Sequence, residues 1–206
     1  MRASHLVLGS ERTWADLAGC VASLVDASVC LALLFLPSAP ATVDRLCIIL
    51  LDPITCIIVY WALYRRLDDI RPIWAELGFY LLILGTLFLT CRNVLEESAS
   101  LNLRPLSYST ANDFDIVVEL IVIFTLPFGL AIYAWLIASS PPLRRWLGFM
   151  IGVQAVLLPI AFCSFAFPRL GDFASSELCA VYALILSVSK AMWFLSPVAG
   201  SKFAGG

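Results

Sequence analysis

Charge is what this 206-residue chain has least of: only 14% of it is Asp, Glu, Lys or Arg, against 61% hydrophobic residues. Soluble domains carry about 25% charged and about 45–50% apolar residues. So little polar surface cannot cover a water-facing core, and a mean hydropathy of +0.94 assigns the excess apolar surface to a bilayer. The formal charge of -2 and the scattering of basic residues remove the electrostatic footprint of a nucleic-acid binder, so no nucleic-acid partner is expected.

Other absences narrow the chemistry. The single histidine, His5, precedes every long apolar run, which excludes paired haem ligands, histidine metal sites and Ser-His hydrolysis. The seven cysteines form no C-x-x-C and no zinc-ligand spacing. There is no G-x-x-x-x-G-K phosphate loop, no row of arginines for voltage sensing and no Asn-x-Ser/Thr sequon. No metal and no cofactor is therefore expected.

What is present is a series of apolar runs. A helix needs about 20 mainly apolar residues to cross roughly 30 Å of hydrocarbon. Six runs fit: 17–36, 46–64, 73–91, 116–138, 147–167 and 176–195. Short connectors rich in proline and charge separate them, except for a long polar stretch, 92–115, read as a loop. Its last residues, Asn112, Asp113 and Asp115, suit the capping of the fourth helix. Ala39-Pro40-Ala41 has the small-x-small form of a signal cleavage site, but the preceding run is too long for a signal and contains Asp26.

The prediction is thus one all-α membrane domain of about six spans. Lys and Arg favour the cytoplasmic side. With an even number of spans, nine basic residues, including Arg65, Arg66, Arg71, Arg144 and Arg145, share the side of both termini; four, Arg45, Arg92, Arg104 and Arg169, lie opposite. Both termini are expected in the cytoplasm. Trp14, Trp61, Trp74, Trp135, Trp146 and Trp193 fall near that side, with Tyr60 and Tyr64 close by, and read as an interfacial belt.

Helices in lipid associate through small residues and interhelical polar contacts. On the first span Asp16, Gly19, Cys20, Ser23, Asp26, Ala27 and Cys30 recur at helical spacing, whereas Leu17, Val21, Leu24 and Leu31 fall elsewhere. The last span repeats the device with Ala180, Ala183, Ser187, Lys190 and Ala191, and the third has Gly78 and Gly85 one heptad apart. Pro53, Pro127 and Pro159 sit within the second, fourth and fifth runs, where each deletes a backbone hydrogen bond.

Five ionisable residues fall inside spans, where a charge is expensive and usually faces a functional interior. By helix rise, Asp26 lies ~15 Å and Asp52 ~9 Å from the outer ends of adjacent antiparallel helices, close enough in depth to meet. Carboxyls brought together in low dielectric cannot both ionise, so such a pair holds a proton. The bland alternative has Asp26 bonding locally to Ser23, Ser28 or a backbone carbonyl and Asp52 capping a helix broken at Pro53. Glu76 and Lys190 both fall near cytoplasmic ends and suit an interhelical salt bridge; Glu119 reads as a first-turn acid of the fourth span. Cys47, Cys91, Cys163 and Cys179 share the outer level, where disulfides would form if that side is oxidising.

Three functions fit this inventory. The first is the binding or transport of a small or lipophilic solute, with Asp26 and Asp52 as the proton or cation site and a homodimer as the working form, given so few spans. The second is an acid-catalysed enzyme on a lipophilic substrate, such as an isoprenoid or sterol cyclase or isomerase, with aromatic faces stabilising cations. The third is a structural or assembly subunit of a membrane complex.

Overall fold

A computed structural model describes residues 2–35, 51–100, 108–139, 142–162 and 177–195, with side chains described over 14–31, 51–95, 116–139, 145–160 and 181–195. Every element among the described residues is helical, with no strand among them. In chain order the helices are α1 (Arg2–Phe35), α2 (Asp52–Leu67), α3 (Pro72–Ser100), α4 (Tyr108–Ala138), α5 (Pro142–Phe162) and α6 (Glu177–Leu195). Three contain segments long and apolar enough to cross a membrane: Trp14–Leu31, Pro72–Leu95 and Ile116–Ala138. Arg145–Ile160 and Val181–Leu195 are shorter apolar helices.

The helices outrun the expected spans. α1 begins at Arg2, α3 continues to Ser100 and α4 starts at Tyr108, so the stretch expected as a loop over 92–115 is helical over 92–100 and 108–115. Its residues are polar but include few helix breakers, and an uninterrupted i to i−4 ladder satisfies the backbone better than a loop does. Pro53 is the second residue of α2 and follows Leu51, which is itself helical, and Pro127 and Pro159 lie inside α4 and α5.

Neighbours in sequence are neighbours in space. α1 packs between α2 and α6, α3 joins α2 to α4, and α5 lies along α4; contact between α5 and α6 is the sparsest of the seams that close the ring. Small residues set the spacing. A Cβ on Gly19 would lie 2.6 Å from the Ala62 Cβ and 2.8 Å from the Phe194 ring, which brings α1, α2 and α6 together at one level. Gly78 and Gly85 take Tyr133 and Leu126 of α4 in the same way, and the buried Tyr133 hydroxyl donates to the Ala75 carbonyl at 3.3 Å.

The outer surface is apolar. Leu17, Val21, Leu24 and Leu31 are exposed on α1, opposite buried Ser23 and Ala27, and α4 exposes Ile116, Leu120, Phe124 and Phe128. Exposed hydrophobic faces on every side, around a core that includes small and polar residues, are what a helical protein in lipid requires.

Candidate functional site

Three helices each present a row of residues at one-turn intervals to a common interior. α1 contributes Asp26 and Cys30; α2 contributes Asp52, Cys56 and Tyr60; α6 contributes Tyr182, apolar Leu186 and Lys190, with Ser187 beside them. Spacing of three or four residues puts each row on one helix face. All three rows line one cavity of about 330 Å³, which Leu130 of α4 and Ile151, Gln154, Leu157 and Leu158 of α5 complete. Its size falls at the low end for small-molecule sites, about 300–1,000 Å³.

One oxygen organises the polar wall. The Ser187 hydroxyl donates to Asp26 Oδ2, and Lys190 Nζ lies 3.6 Å from the same atom. Asp26 and Lys190 are both largely withdrawn from the surface, with side chains 23% and 14% exposed. Asp52 differs. It is exposed and sits in the first turn of α2; the Cys56 thiol lies 3.8 Å from its Oδ1, and Thr55 Oγ1 donates to its main-chain oxygen at 2.9 Å. Tyr182 closes the cavity wall by donating to the Met150 carbonyl of α5.

Asp26 and Asp52 therefore line one cavity, and Lys190 joins them there. The partner expected for Lys190 was Glu76; its partner is Asp26, and Glu76 is exposed on α3. α6 packs on α1, and that adjacency decides the pairing. Glu119 is not a first-turn acid, because α4 begins at Tyr108; it pairs with Arg92 of α3 at 2.9 Å. Cys91 is a free, exposed thiol on α3. Cys47 and Cys163 lie outside the described residues, as does the side chain of Cys179.

A second polar cluster lies toward the opposite end of α1. Arg66 Nε donates to Asp16 Oδ1 at 2.6 Å and its Nη2 to Oδ2 at 3.2 Å. The same guanidinium donates to the main-chain oxygens of Trp193 and Phe194, the latter at 2.9 Å, and lies 4.5 Å above the Trp193 ring. An arginine on the last carbonyls of α6 satisfies acceptors that the helix leaves open and complements its dipole. Trp193 is consequently buried, whereas Trp14, Trp61, Trp74, Trp135 and Trp146 are exposed.

Sequence reasoning singled out Asp26, Asp52 and Lys190 but took Ser187 for a small packing residue and Tyr60 for part of the interfacial belt, and passed over Gln154 and Tyr182 altogether. The row Asp52, Cys56, Tyr60 at four-residue steps was the available signal. The chain matches no protein-family model, and no curated protein and no solved structure resembles it significantly.

Proposed function

We propose that this chain is a six-span membrane protein with both termini in the cytoplasm, and that it binds a small or lipophilic solute between its helices and moves it across the bilayer. The observation that carries this reading is the cavity itself, in which Asp26, Asp52 and Lys190 meet an otherwise aliphatic wall. Ionisable groups within a membrane span are costly and are kept where they handle solutes or protons. Asp26 and Asp52 are the residues assigned to proton coupling. Six spans are supported by the apolar character of α5 and α6 and by the packing of each helix on its neighbour in the chain; the orientation is supported by the excess of basic residues at the ends that carry Arg66 and Arg71. A homodimer would supply the second half that a carrier of this size lacks.

The cavity ranks binding above acid-catalysed cyclisation. A cyclase steers carbocations with aromatic faces. Here the described lining is mainly Val59, Leu63, Leu130, Ile151 and Leu186, with only Tyr60 and Tyr182 aromatic.

The test is thermal unfolding of the protein in lipid nanodiscs against a panel of small lipophilic compounds. A ligand at a hundred times its Kd adds about 2.7 kcal/mol of stability. A compound that stabilises the wild type and loses its effect in Asp26→Asn and Lys190→Met, both folded, supports a binding site. Proteoliposomes loaded with a pH-sensitive dye then show whether uptake carries protons. If no compound stabilises the wild type, and the variants match it in abundance and in cells, the structural-subunit reading replaces this one.

A further inference from the structure

We propose that the solute is a cation: a compact, apolar-bodied amine whose ammonium rests on Asp52 while its body fills the aliphatic part of the cavity. This inference rests on the solute-binding reading above and adds the chemical class.

The described lining holds two carboxylates, Asp26 and Asp52, and one ammonium, Lys190. Lys190 and Ser187 both engage Oδ2 of Asp26, so that carboxylate has its counter-charge and a hydroxyl donor. Among the described residues no cation pairs with Asp52, whose side-chain neighbour is the Cys56 thiol at 3.8 Å. A thiol is a weak donor and supplies no charge. Asp52 is thus the carboxylate of this cavity that has no counter-charge among the described residues, and it is the one open to an incoming cation.

The remaining lining describes the rest of the ligand. Leu63, Leu130, Ile151, Leu158 and Leu186 offer aliphatic contact and no hydrogen bond, which favours a hydrocarbon body. Tyr60 and Tyr182 add aromatic rings, whose faces attract cations. Gln154 can hold a polar substituent or a water. An anionic solute would have to displace Asp26 from Lys190 and then lie beside two carboxylates. A neutral one would leave Asp52 without a counter-charge.

A single cage in three charge states tests this directly: 1-aminoadamantane, 1-adamantanol and 1-adamantanecarboxylate. Equilibrium binding to the full chain in nanodiscs is measured for each, with empty nanodiscs subtracted for partitioning into lipid. The expected result is saturable binding of the amine, with the alcohol and the carboxylate weaker by about tenfold or more, the range of one charge-assisted contact. Asp52→Asn should remove that preference while unfolding at an unchanged temperature, and Asp52→Glu should retain it. Equal or tighter binding of the alcohol or the carboxylate overturns the cation assignment and leaves a solute-binding site of another class. A preference for the amine that survives in Asp52→Asn also overturns it. If none of the three binds saturably, the cation assignment fails, and the broader reading is then decided by the thermal-unfolding panel.

Discussion

Arg66 and Asp16 face each other across α1 and α2 in a two-point contact, and the same guanidinium holds the last carbonyls of α6. The cluster lies ten residues from Asp26, about 15 Å along α1. Between the two levels, Gly19 packs against Ala62 and Phe194. The three helices that supply the cavity's ionisable groups are thus pinned at one end by a contact that includes none of those groups. Arg66 is 7% exposed and Asp16 18%. Removing one partner of a buried pair costs about 3–5 kcal/mol, because the other charge is left uncompensated. Arg66→Met should lose stability on that scale in denaturant unfolding, and Asp16→Asn in the same background should return part of it. A loss below about 1 kcal/mol, the range of exposed pairs, would show that the contact contributes little.

The seam between α4 and α5 makes a sharper packing prediction. A Cβ on Gly148 would lie 2.8 Å from both the Ala134 oxygen and the Ala138 nitrogen, which are backbone atoms and cannot rotate away. On Gly152, one turn further, the nearest atom would be at 3.7 Å, an ordinary contact. Gly148→Ala should therefore destabilise by about 1–3 kcal/mol, the cost of overpacking. Gly152→Ala should be neutral or stabilising by up to about 1 kcal/mol, since alanine is the better helix former. Thermal unfolding of the two variants side by side checks the order; the reverse order would mean that α4 and α5 do not approach at Gly148.

The membrane character and the helical class were legible because they depend on composition and period, which are local properties. The three most apolar segments need no partner to be recognised. Asp26, Asp52 and Lys190 were legible for a related reason: a charge inside an apolar run stands out whatever surrounds it. Their pairing was not. Glu76 and Lys190 share a depth, but depth does not say which helices are neighbours, and α6 packs on α1. Glu119 was misread because polarity was taken for a loop, while the backbone stays helical from Tyr108. Trp193 was assigned to an interfacial belt from its position alone, although Arg66 lies over its ring and the indole is buried.

Asp26 and Lys190 should behave as one unit. Each alone leaves the other charge facing an aliphatic cavity, so Asp26→Asn and Lys190→Met should each destabilise, and the double variant should lose less than the two together. Coupling between residues in direct contact is about 0.5–3 kcal/mol. A double-mutant cycle on unfolding in detergent or nanodiscs gives the value. Strict additivity would show that Lys190 is held by other contacts and that Asp26 needs no counter-charge.

The span count turns on α2. Its 16 described residues cover about 24 Å, less than the roughly 30 Å of hydrocarbon. Yet its C-terminal end is held to α1 and α6 through Arg66, while Asp52 at its other end shares a cavity with Asp26, so α2 runs alongside α1 between both polar levels. That placement supports the proposed crossing of α2 alongside α1, since otherwise the apolar faces of both would be left unmatched. Reporters that are active on only one side of the membrane, fused at either end or inserted at the Asp68–Arg71 turn, should all read cytoplasmic, and one inserted within 101–107 should read the opposite side. A reporter at Asp68–Arg71 on the same side as one at 101–107 would mean that α3 does not cross. Ends that read on opposite sides would mean an odd number of crossings, with α2, the shortest helix, as the first to doubt.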